Sequence, residues 1–163
     1  MGKDESGTNS YKGEQNPNPS PSDNPPSVSG EALSHSDGGE YTSTHRPSGG
    51  GHGQDAIDYM DSHGIPYEIN IEYNNGVRRG NLPTSKEKMK RTGNRQSWFP
   101  KSWTANDIKY AGIAVAKTFR GHPKAGDHHA GIVNGVSVTI IYGENGTINT
   151  IFPSETQPGG IKK

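Results

Sequence analysis

Hydrophobic positions are crowded into the later two-thirds of the chain. Residues 1–54 are mostly Gly, Ser, Pro, Asn and Asp, in runs such as NPNPSPSDNPPS and HRPSGGGHG, and nearly every Ile, Val, Trp and Phe follows Ala56. A segment with so little to bury cannot offset the entropy of ordering its backbone. Residues 1–54 therefore read as a disordered linker, and His35, His45 and His52 within it as solvated loop residues. From residue 54 the pattern changes. Asp55 is a plausible N-cap, Ala56, Ile57 and Met60 form an apolar face, and Gly64 precedes Pro66, which together predict a two-turn helix. Tyr67 to Tyr73 alternates apolar and polar, the period of a half-buried strand. Asn74-Asn75-Gly76 supplies a turn, and Val77 to Gly80 runs back as its partner.

A polar loop, residues 81–95, leads to the aromatic block SWFPKSW. Thr104 then caps a helix over residues 105–118, with Asp107 at its third position and Ile108, Ala111, Gly112, Val115 and Ala116 on one face. The arginine- and histidine-bearing stretch that follows reads as a loop. Beyond it the pattern predicts strands at 131–133, 136–142 and 147–152, joined by Asn134-Gly135 and Asn145-Gly146 turns. Helices set apart from antiparallel strands make an α+β fold: a small sheet against one or two helices, preceded by a long tail. The expected division is a linker over 1–54, a domain over 55–158 and a frayed tail over 159–163.

Composition narrows this further. Only 26% of the 163 residues are hydrophobic, against about 45–50% for globular chains, so part of the chain is expected to stay unfolded. The absence of cysteine excludes disulfides, a cysteine zinc site and a cysteine nucleophile. No run approaches the length of an apolar membrane span, and no apolar core follows the N-terminus as in a signal peptide. A formal net charge of zero hides a strong asymmetry. Between Gly76 and Lys124 there are twelve Lys and Arg against Glu87 and Asp107, a local charge of +10, whereas the first 75 residues sum to −9.

Concentrated positive charge attracts phosphate polyanions, so nucleic acid is the first partner to consider. Trp98, Phe99 and Trp103 either build the wall beneath a site or stack on a base. His122, Asp127, His128 and His129 lack metal-ligand spacing. RNA carries its own nucleophile in the 2′-OH. Its cleavage needs only proton transfer and fixed cations, which suits an inventory of Arg, Lys, His and Thr.

Two stretches, SWFPKSWTANDIKYAGIAVA and NGVSVTIIYGENGTINTIFPS, resemble the bacterial EndoU-type ribonuclease domain found at the C-terminal ends of polymorphic and contact-dependent toxins. The resemblance covers roughly Tyr67 to Pro158. It implies the α+β fold shared with barnase- and colicin-type ribonucleases and RNA cleavage, often of tRNA, without a metal or other cofactor. It also implies a cognate immunity protein, expected to be acidic, and delivery from a bacterium into the cytoplasm of a target cell as part of a larger protein. The family's usual pair of catalytic histidines lies upstream of the W-F-P block, and this chain has no histidine from Gly64 to Gly121. Thr150 and Phe152 match the late Thr-x-aromatic motif.

The expected catalytic set is therefore Arg79, Lys86, Arg91 and Thr150, with His128 or His129 as general base. Arg78, Lys88, Lys90, Arg95, Trp98, Lys101 and Phe152 are expected to hold RNA. Two alternatives remain at this level: a module that binds nucleic acid without cutting it, and a metal-dependent nuclease using the His122 to His129 loop.

Overall fold

The structure, a computed structural model, describes residues 25–86 and 92–163. Among the described residues three α-helices and eight strands follow one another. Helix α1 (Gly30–Asp37) leads into a hairpin of β1 (Glu40–Tyr41) and β2 (Pro47–Gly49). Helix α2 (Gln54–Ser62) precedes β3 (Glu68–Glu72), β4 (Arg78–Asn81) and β5 (Gln96–Trp98). Helix α3 (Ala105–Ala116) is followed by β6 (His128–Val133), β7 (Val136–Tyr142) and β8 (Ile148–Pro153). The strands form one two-stranded and two three-stranded sheets, β3-β4-β5 and β6-β7-β8, with antiparallel pairing throughout. The α+β expectation holds.

Helix α3 starts where the sequence predicts. Thr104 accepts from the Asp107 N–H and the Asp107 carboxylate accepts from the Thr104 N–H, a reciprocal box that satisfies two orphan donors. Its inner face, with Ile108, Ala111 and Val115, packs on Val136, Val138, Ile140 and Ile151 to form the larger core. Strand β7 alternates buried and half-buried residues along its whole length, as its sequence period requires. A second, smaller core joins Ile57 and Met60 of α2 to Ile65, Leu82 and Trp98.

Several expectations are corrected. Residues 25–53 are not a tail: α1 and the β1–β2 hairpin lie within them, whereas the expectation for residues 1–24 falls outside the described residues. Ser29, not a later residue, opens the first helix by accepting from the Ala32 N–H at 3.0 Å. Gly53, rather than Asp55, caps α2, and it does so without a side-chain bond. Strand β3 is mostly solvent-facing, with Ile69 exposed, and a register shift breaks it between Ile69 and Ile71. The C-terminal end is pinned and not frayed: Lys162 N–H donates to Glu72 O, Asn74 N–H donates to Gly160 O, and Ile161 bridges to Tyr73.

Candidate active site

A helix leaves its last carbonyls without intrahelical donors. In α1 the N–H groups of Gly51, His52 and Gly53 donate to the carbonyls of His35, Ser36 and Asp37, at 2.8, 2.6 and 2.9 Å. This closure brings together two histidines that are seventeen positions apart in sequence, and the β1–β2 hairpin is the loop between them. Glycine is needed on the closing strand. At Gly50, where φ is +62°, a Cβ would fall 1.8 Å from the His35 carbonyl oxygen; at Gly49 it would fall 3.2 Å from the His35 ring. The same strand is held from its other side, because Gln96 Nε2 donates to Gly51 O at 2.9 Å and Phe99 N–H donates to His52 O at 2.7 Å. A third tie reaches the second large sheet, where Ile151 N–H donates to Ser36 Oγ at 2.9 Å.

The two imidazoles have different surroundings. His52 is buried, with Nδ1 2.8 Å from the Ser97 carbonyl, which can only accept, so Nδ1 carries a hydrogen and donates it. Its ring lies 5.6 Å from that of Phe152. His35 is half-buried, and its Nδ1 lies 3.1 Å from the Glu40 carboxylate. An open cavity of about 710 Å³ adjoins it, lined in part by His35, Glu40, Ser34 and Asn149. Thr150 and Phe152 project from one side of β8, while Ile151 between them enters the core.

Beside this pair, Asp37 is buried near the start of α2. Its pKa is pushed up to about 7, first by burial, then by a hydrogen bond to Asp55 and the charges of Asp55 and Asp58. A carboxyl whose folded value exceeds its unfolded one favours the fold in its protonated form. Its contribution is full below about pH 4 and is lost as pH rises through about 7, on the order of a few kcal/mol. Asp37→Asn keeps the shape and removes the charge. The wild type is expected to lose melting temperature between pH 5 and pH 8 by an amount that this variant does not lose; parallel slopes in thermal melts across that range would contradict the assignment.

The residues singled out from sequence are distributed unevenly. Arg79 is buried on β4 opposite Ser97, on the face of the strand pair that carries the Ser97 side chain toward His52. Lys86 is exposed, and its N–H donates to Pro47 O at 2.9 Å, so the basic loop starts against β2. Lys88, Lys90 and Arg91 lie outside the described residues. Arg95 and Lys101 are exposed. Arg78 is corrected from an RNA contact to a structural cation: it is buried, its guanidinium donates to Gln54 Oε1 at 2.8 Å and to the Phe99 carbonyl, and burial lowers its pKa.

Trp98 is corrected in the same way. It is fully buried in the smaller core, edge-on to Tyr67, and has no face to offer a base. Phe99 and Trp103 stack on each other at 5.1 Å as part of the larger core. Besides β4 and its loop, the basic block supplies exposed Lys109 on α3 and exposed Lys117 at its C-cap.

The two late histidines lie on β6, not in a loop, and alternate in direction. His129 is bonded to Thr118 Oγ1 at 2.7 Å and sits edge-on to Phe119, which ties it to the end of α3. His128 is exposed and begins the cross-strand row His128, Ile141, Thr150. Among the described residues no group of three His, Cys, Asp or Glu is placed to hold a metal ion, and no helix is long and apolar enough to cross a membrane.

The bacterial EndoU nuclease model matches residues 29–155, and the chain belongs to that family of endoribonuclease toxin domains. Neither a curated protein nor a solved structure matches the chain. The family match begins at Ser29, so His35 and His52 fall inside the domain, upstream of the W-F-P block. Sequence reasoning missed them because their segment lacks an apolar period. The available signals were Ser29 ahead of Ala32 and Leu33, and the Gly-Gly-Gly-His run.

Proposed function

We propose that the chain cleaves RNA, with tRNA as the expected target, by attack of a ribose 2′-OH on the adjacent phosphorus, and that His52 and His35 are its acid–base pair. The observation that carries this reading is the capping of α1 by residues 51–53, which ties the backbone of His52 to the end of the helix that bears His35, with the two side chains in different hydrogen-bond settings. His52, its ring oriented by the Ser97 carbonyl, takes the 2′-OH proton. The new O2′–P bond forms as the P–O5′ bond breaks. His35, whose Nδ1–H points at a carboxylate, delivers a proton to the departing 5′ oxygen. The products are a 2′,3′-cyclic phosphate and a 5′-OH, and the proton count balances over the step.

Arg79 and Lys86, with Lys88, Lys90 and Arg91 of the same basic loop, supply positive charge for the phosphorane, and the Thr150 hydroxyl donates to one of its oxygens. Phe152 orients His52 and walls the site. This replaces His128 and His129 as general base: His129 is engaged with Thr118, and both project from β6. An acidic immunity protein and delivery into a target-cell cytoplasm as part of a larger protein complete the reading, supported by the family and by the basic centre.

Incubation of the purified protein with total tRNA in EDTA tests it. Cyclic-phosphate ends are the expected product; intact RNA at high enzyme excess, from a sample that melts cooperatively, would overturn the proposal.

A further inference from the structure

One cluster lies outside the catalytic pair yet on the same hairpin. Four rings form a continuous ladder across the surface: Tyr41 stacks on Tyr59 at 4.2 Å, Tyr59 on His63 at 4.0 Å, and His63 meets His45 at 5.3 Å. Tyr59 and His63 are one helical turn apart on α2, so their rings overlie. Tyr41 and His45 come from the hairpin, whose tip is fixed by bonds between Thr42 and Arg46, with His45 at φ +61°. The inner tyrosines are half-buried, while the two histidines that end the ladder are exposed. Burial of apolar area explains the tyrosines, and a bond from His63 Nδ1 to the Tyr59 carbonyl at 2.9 Å fixes the first imidazole at the end of α2, while the His45 ring beyond it stays solvent-facing together with the outer face of His63.

Charge runs beside the rings. Arg46 is exposed and donates from its guanidinium to Thr84 O and Ser85 O at 3.0 and 3.3 Å, which places it against the loop where exposed Lys86 begins the basic run. Rings that stack, edged by cations, are the elements of a single-strand binding surface, because every base has a π-face and every nucleotide a phosphate. The hairpin that carries this surface starts five residues after His35 and ends three residues before His52. A strand threaded past the pair would thus meet the hairpin next.

We propose that the ladder ending in His63 and His45 is a second nucleotide-binding site, on which an unpaired base of the RNA stacks several nucleotides from the scissile bond while Arg46 and Lys86 hold the intervening phosphates. The assignment rests on the RNA-cleaving reading and adds a preference for single-stranded substrates longer than a dinucleotide.

The test is a His45→Asn, His63→Asn double variant, since Asn tolerates positive φ and removes both rings. Stacking of one base contributes about 1–3 kcal/mol, so KM for a single-stranded oligonucleotide of about eight residues should rise roughly tenfold, with kcat unchanged. Cleavage of a dinucleotide should not change. His63→Phe, which keeps a ring, should behave as wild type. Equilibrium binding of the same oligonucleotide in 2′-O-methylated form, which lacks the nucleophile, should weaken by the same factor. Unchanged KM and binding, or an equal loss on the dinucleotide, overturns the proposal. If the wild type binds the methylated strand through these rings but cuts neither substrate, the cleavage mechanism fails and the stacking site stands.

Discussion

His52→Asn and His35→Asn should each lower RNA cleavage by about two to four orders of magnitude, the range expected when one general acid or base is removed. Asparagine is the informative replacement. Its amide can donate from the position of Nδ1, so the contact to Ser97 O at 2.8 Å or to Glu40 at 3.1 Å has a donor to keep it, while nothing remains that takes up or releases a proton. Thermal melts of the variants should therefore stay within a few degrees of wild type. The double variant should be only slightly slower than either single one, because groups that act on one transition state do not contribute additively. Full activity in either well-folded variant would remove that histidine from the mechanism, and replacement of His128 by Asn serves as the control that should leave the rate unchanged.

The parts of the fold visible in the sequence are those ordered by apolar burial. Helix α3 announces itself through Thr104 and Asp107 at its start and a repeating face of Ile108, Ala111 and Val115, and β7 through Val136, Val138, Ile140 and Tyr142. These residues build the larger core, so their periodicity and their position share one cause. The segment from Ser29 to Gly53 has a different source of order. It buries Ala32 and part of Leu33, packs Tyr41 against the smaller core, and is otherwise secured by hydrogen bonds from residues 51–53 to α1, from the Phe99 N–H to His52 O, and from the Ile151 N–H to Ser36 Oγ. Those bonds depend on partners more than a hundred residues away in one case, and no local pattern encodes them. Reading that segment as a linker hid both histidines and shifted the search for a base to His128 and His129. Charge misled in a related way. Arg78 counts toward the basic block by composition, yet it links Gln54 of α2 to the Phe99 carbonyl as a buried donor. Counting charges says how many cations a stretch holds, and burial decides which of them face a ligand.

If glycines, and not apolar contacts, hold the histidines together, a single methyl group there should be more damaging than most core truncations. Gly50→Ala introduces a Cβ 1.8 Å from the His35 carbonyl oxygen and 2.8 Å from its carbon, both backbone atoms that no rotamer change can move, at a residue with φ +62°. Positive φ alone costs a non-glycine residue about 1 kcal/mol, and relief of the overlap by backbone shifts adds about 1–3 kcal/mol. The shift must separate residue 50 from His35, which loosens the Gly51 and His52 amides from α1 and so displaces His52 relative to His35. The expected result is a loss of about 2–4 kcal/mol in urea unfolding together with cleavage reduced to near the level of the histidine variants. Gly121→Ala separates the two causes. Its φ is +92° with no atom within 4 Å of the added carbon, so it carries the backbone strain without the collision and should keep its activity. Should Gly50→Ala cleave RNA as well as Gly121→Ala does, the strap from Gly49 to Gly53 does not position the site.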